Sequence, residues 1–77
     1  MRTIMRVSTT IEFGNIIRDT RKRSKLTQSQ LAAASGTGER FIRELEKGKS
    51  TCQWEKALLI AQMLGIKIQV IPPVIDE

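Results

Sequence analysis

The stretch Gln28-Ser29-Gln30-Leu31-Ala32-Ala33-Ala34-Ser35-Gly36-Thr37-Gly38-Glu39-Arg40-Phe41-Ile42-Arg43-Glu44-Leu45-Glu46-Lys47 sets the fold. Thr27 stands before it as a helix cap, and residues Gln28 to Ser35 favour a helix. Gly36 supplies the backbone freedom for a sharp turn, and a second helix is expected from about Gly38 to Lys47. With Gln28 as the first position, the fifth is Ala32, the ninth Gly36, the fifteenth Ile42 and the eighteenth Leu45. A small residue at the fifth lets the two helices cross closely. Ile42 and Leu45 bury one side of the second helix and leave its other side free.

Outward from this unit, Phe13, Ile16, Ile17 and Thr20 recur at helical spacing behind the hydroxyls of Ser8, Thr9 and Thr10, predicting a first helix from about Ile11 to Arg23. Gly48 closes the third helix, with Lys47 at the negative end of its dipole. Ser50 or Thr51 is expected to cap a fourth helix carrying Trp54, Ala57, Leu58, Ala61 and Leu64, ended by Gly65. From Ile66 to Ile71 apolar and polar residues alternate, as in a strand with one buried face, until Pro72-Pro73 stops it. A strand needs a partner: either Thr3 to Val7, which also reads as β, or its own copy in a second chain. The expected architecture is all-α, four or five helices in one domain over residues 1–77, with a short C-terminal strand at about 66–71 used in dimerisation.

Composition limits the chemistry. The 77 residues carry 13 Lys and Arg against 8 Asp and Glu, a net charge of +5, with no His, no Tyr and one Cys. No base and nucleophile pair can be assembled, so an enzyme is not expected. Cys52 has no second Cys for a disulfide and no His or Cys beside it for zinc, so neither metal nor cofactor is expected. No apolar run approaches the ~20 residues of a membrane span. Met1-Arg2-Thr3-Ile4-Met5-Arg6 has no hydrophobic leader core, so the cytoplasm is the default compartment. The basic charge favours an anionic partner, nucleic acid or a membrane surface. Phe13 and Trp54 lie on apolar helical stripes and read as core rather than as base-stacking platforms.

Helical geometry assigns the faces of the third helix. At ~100° per residue, setting Ile42 at ~0° places the buried direction near about −30°, and Arg40, Arg43, Glu44 and Lys47 fall on the opposite side. Gln28 and Thr37 sit at the starts of their helices, where unpaired backbone N–H groups attract phosphate. Lys47 and Lys49 flank the Gly48 turn as further contacts to a nucleic-acid backbone.

At these residues the chain resembles the lambda-repressor/Cro (XRE) type of helix-turn-helix domain, on the strings Thr27 to Ala32, Gly36-Thr37 and Ile42 to Lys49, over about Ile11 to Gly65. The resemblance implies that the unit at about 28–47 docks in the DNA major groove, with Gly38, Glu39 and Arg40 facing the bases. There the Arg40 guanidinium can bond O6 and N7 of a guanine together. It also implies that Gln28 and Thr37 contact phosphate and that Arg21 pairs with Glu46 as a structural ion pair. Arg21 is thereby removed from the basic run Arg21 to Lys25, whose Arg23 and Lys25 read as solvated.

The strand directly after a four-helix core makes the chain most similar to the HipB-type antitoxins, which pair that strand across a two-fold axis, repress their own operon and bind a HipA-type kinase toxin. The resemblance implies a sequence-specific repressor of double-stranded DNA with a palindromic operator. Leu59, Ile60 and Met63 add apolar residues beyond the main stripe of the fourth helix, and a homodimer is expected to bury them with Ile66, Ile68 and Val70. The alternatives are a stand-alone phage- or plasmid-type repressor without a toxin and, in another class, a nonspecific RNA- or membrane-surface-binding basic module. The last requires the basic residues to line one amphipathic helix or an aromatic sheet, and they do not.

Overall fold

The computed structural model describes residues 9–49 and 53–68. These form four helices: α1 (Thr10–Arg23), α2 (Gln28–Ser35), α3 (Glu39–Glu46) and α4 (Trp54–Met63). The starts of α1 and α2 are built alike. The Thr9 hydroxyl accepts the Glu12 N–H at 3.1 Å while the Glu12 carboxylate accepts the Thr9 N–H at 3.1 Å. Thr27 and Gln30 repeat the reciprocal arrangement at 3.0 and 2.8 Å. α2 ends at Gly36 in the left-handed conformation (φ 70), which a Cβ would strain.

The core comprises Ile17 of α1, Leu31 and Ala32 of α2, Ile42 and Leu45 of α3, and Ala57, Ile60 and Ala61 of α4, flanked by Phe13, Phe41, Leu64 and Ile66. α3 lies between α1 and α2, and α4 packs on α2. The approach of α1 to α3 depends on Gly14. A Cβ there would intrude on the Leu45 carbonyl oxygen and stand 2.9 Å from that of Glu46. Near the start of α1, the Thr10 hydroxyl donates to the Gly48 carbonyl at 2.6 Å, just past the end of α3.

Three expectations about the C-terminal third need correction. α4 begins at Trp54 with Gln53 at its N-cap position, and the expected caps Ser50 and Thr51 lie outside the described residues. Its buried stripe is Ala57, Ile60 and Ala61, so Trp54 lies at the stripe's edge, 58% exposed, with its ring centroid 6.2 Å from that of Phe13. Ile60, expected at a dimer interface, is 0% exposed in the chain's own core and cannot contribute there. The expected strand at about 66–71 needs a partner: in the single chain Ile66 to Ile68 have no regular structure, and Gln69, Val70 and Ile71, like Thr3 to Val7, lie outside the described residues. Among the described residues no helix is long and apolar enough to cross a membrane.

Candidate nucleic-acid interface

Burial of Ile42 and Leu45 fixes the rotation of α3. Glu39, Arg40, Arg43 and Lys47 are consequently exposed and Glu44 is half-buried, the face that helical geometry turns away from the core. The Arg40 side chain is 83% exposed. Gly38 is the N-cap of α3 and gives it no side-chain cap; the Phe41 N–H turns back to the Gly38 carbonyl at 3.1 Å.

α3 is anchored from below by one carboxylate. The Arg21 Nε donates to Glu46 Oε2 at 2.6 Å and its Nη2 to Glu46 Oε1 at 3.1 Å, while Nη1 donates to the Leu26 carbonyl at 2.8 Å. Both residues are buried, Arg21 at 8% and Glu46 at 7% exposure. The hydrogen bond to Glu46 pushes the guanidinium even higher than its ordinary basic range, so it stays charged. Glu46 Oε1 also accepts from the Gln28 side-chain amide at 3.1 Å. One carboxylate thus joins α1, the start of α2 and the end of α3.

Two expected phosphate contacts change character. Thr37 neither starts nor caps α3: its N–H donates to the Ala32 carbonyl at 3.0 Å, and its hydroxyl lies 2.9 Å from that of Ser35. Its amide is therefore committed to the end of α2 and cannot serve a phosphate. Gln28 is half-buried with its amide held by Glu46, so it is presented in a fixed orientation rather than as a mobile side chain. Arg23 and Lys25 are exposed, and Lys25 turns the chain out of α1 with φ 59.

The exposed face of α3 carries its own counter-charges. Arg40 Nε lies 3.5 Å from Glu44 Oε2, Arg43 Nη2 lies 3.5 Å from Glu39 Oε2, and Lys49 Nζ donates to Glu44 Oε2 at 3.2 Å. The Lys49 hydrogen bond, aided by Arg40, holds the Glu44 carboxyl below its usual range. Sequence reasoning missed Gly14 and the Gln28 to Glu46 link. A glycine inside a helix costs about 1 kcal/mol against alanine, and that cost at Gly14, between Phe13 and Ile17, was the available signal of a close approach.

The geometry is that of two helices crossing at a glycine turn, the second presenting a polar face to solvent. A family model described as helix-turn-helix matches residues 17–71. An uncharacterized HTH-type transcriptional regulator, y4mF of Sinorhizobium fredii (strain NBRC 101917 / NGR234), is 41% identical over 68 residues, 88% of this chain and 90% of that one. Among solved structures, a chain of a HipA-HipB-O2-O3 complex superposes with a TM-score of 0.80 at 19% identity, over 90% of this chain and 97% of the other. The restriction-modification controller protein C.AhdI from Aeromonas hydrophila superposes with a TM-score of 0.67 at 28% identity, over 75% and 84%. From its glycine turn, its buried Ile42 and Leu45 and these matches, the chain belongs to the helix-turn-helix family of transcriptional regulators.

Proposed function

We propose that the chain is a cytoplasmic, homodimeric repressor that binds a palindromic DNA operator and acts by binding rather than catalysis. The observation that carries this reading is the outward row of Arg40, Arg43 and Lys47, held rigidly by the burial of Ile42 and Leu45 on the opposite side of α3. Arg40, near the N-terminal end of α3, is suited to a guanine, whereas Lys49, beyond the Gly48 turn, is suited to phosphate. Arg40→Ala is expected to cost about 1–3 kcal/mol at one base pair and to relax preference there, while Lys49→Ala weakens all sequences alike. Binding to a randomised duplex library checks this. Uniform loss in both variants would remove Arg40 from base reading.

Leu59 and Met63 remain exposed on α4 at 39% and 48%, and Ile68 is exposed nearby in sequence, which supports a second copy covering this face. A two-fold axis through it would place two α3 helices on one side of a duplex, with half-sites about one helical turn or a multiple apart. The double variant Leu59→Lys with Met63→Lys is expected to be monomeric by light scattering at micromolar concentration. It should recognise a half-site while losing most of its affinity for the full operator. A wild-type chain that is already monomeric and binds a lone half-site tightly would defeat the dimer.

The finer reading is an antitoxin that binds a HipA-type kinase toxin and represses its own operon. It is supported by fold likeness to a chain of the HipA-HipB-O2-O3 complex and by the Ile66 to Val70 pattern after α4. The likeness to the controller protein C.AhdI supports a stand-alone regulator instead. Co-expression with the product of an adjacent kinase-like reading frame separates the two. A complex that survives size-exclusion chromatography favours the antitoxin, and a neighbourhood without such a frame favours the stand-alone regulator.

A further inference from the structure

The helix that would read DNA is not a basic helix. From Glu39 to Glu46 it holds two arginines against three glutamates, and every cation on or beside its exposed face except Lys47 has a carboxylate within ion-pair distance. The cations with no such partner among the described residues include Arg18, Lys22, Arg23 and Lys25, on α1 and the turn after it. Glu44 is the centre of the arrangement, since its Oε2 meets both Lys49 Nζ at 3.2 Å and Arg40 Nε at 3.5 Å.

We infer that Glu44 is a specificity-determining residue, its carboxylate withholding Arg40 and Lys49 from the phosphates of unmatched DNA and yielding Arg40 to a matched base pair. This rests on the DNA-binding reading above. The magnitudes favour such a filter. An exposed ion pair is worth about 1.4- to fivefold in an equilibrium. One phosphate contact is worth about fivefold at physiological salt, so exchanging Glu44 for a phosphate oxygen gains little. A bidentate contact to a guanine is worth about five- to 150-fold, enough to displace the pair. A carboxylate is ionised at neutral pH in any case, and Lys49 and Arg40 favour that form in Glu44 further.

The test compares wild type, Glu44→Gln and Glu55→Gln, the last removing the same charge from an exposed position in the first turn of α4. Each is titrated against the best duplex selected from a randomised library and against a scrambled duplex of equal length, at several salt concentrations. Glu44→Gln is expected to bind the scrambled duplex about two- to tenfold more tightly than Glu55→Gln does. Its salt slope there should be steeper by about 1 to 2, and its ratio of selected to scrambled affinity should fall. Adding Lys49→Ala to Glu44→Gln should remove part of the gain. If wild type binds duplex DNA in a salt-dependent way but Glu44→Gln behaves like Glu55→Gln, the inference is overturned and the reading stands. If wild type binds no duplex even at low salt, the DNA-binding reading falls and the inference with it.

Discussion

Glu46→Ala is expected to lower stability by about 3–5 kcal/mol, because it strands the Arg21 guanidinium in a site where only the Leu26 carbonyl remains to accept from it. A domain of this size has about 4–12 kcal/mol in total, so the variant should lose a quarter or more of its stability and melt well below wild type. The loss would reflect a stranded charge more than a missing attraction, and a second variant separates the two. Replacing both partners with apolar residues of similar volume, Arg21→Met with Glu46→Leu, should restore most of the stability, since burying the ion pair itself gains little over packing. Thermal unfolding of the two variants checks this. If Glu46→Ala unfolds within a degree or two of wild type, the pair does not hold α3.

Gly14→Ala should also destabilise the fold, although alanine is the better helix former by about 1 kcal/mol. The added methyl meets the carbonyl oxygens of Leu45 and Glu46, which are main chain and cannot rotate aside. α1 must then move off α3, or α3 must lose its last turn, and overpacking of this kind costs about 1–3 kcal/mol net. The midpoint of thermal unfolding should fall by about 5–20 °C. Because the same displacement pulls Arg21 away from Glu46, DNA affinity should fall with it. A variant that melts higher than wild type would show that helix propensity outweighs the contact and that α1 has room to shift.

How far the molecule could be read in advance depended on the kind of information each feature needs. α2 was legible to the residue, because Thr27 and Gly36 mark its ends by local chemistry alone. The rotation of α3 was legible too, since two apolar residues three apart define one buried direction. α4 was harder. The series 54, 57, 58, 61 and the series 57, 60, 61, 64 both satisfy a 3.6-residue period, and they differ in whether Trp54 or Ile60 faces inward. Packing of α4 on α2 chose the second, which no periodicity could reveal. The commitment of Thr37 was hidden for a related reason. Its amide is claimed by the last turn of α2, a hydrogen bond set by where Gly36 sends the chain rather than by the residue itself. The side-chain bond from Gln28 to Glu46 joins residues eighteen apart in sequence and exists only once the helices have crossed.

α1 touches the end of α3 and the turn after it at three points: Thr10 on the Gly48 carbonyl, Gly14 against Leu45 and Glu46, and Arg21 on the Glu46 carboxylate. A helix of eight residues is far too short to hold its shape alone in water, so α3 takes its rigidity from this splint. None of the three contacts uses the side chain of Glu39, Arg40, Arg43 or Lys47. Exchanges at such exposed positions alter stability by only about 0.5 kcal/mol either way. The scaffold and the exposed face of α3 are therefore separable. If the proposed reading of these side chains holds, a lineage carrying this domain could acquire a new operator by changing them one at a time, without passing through an unfolded ancestor.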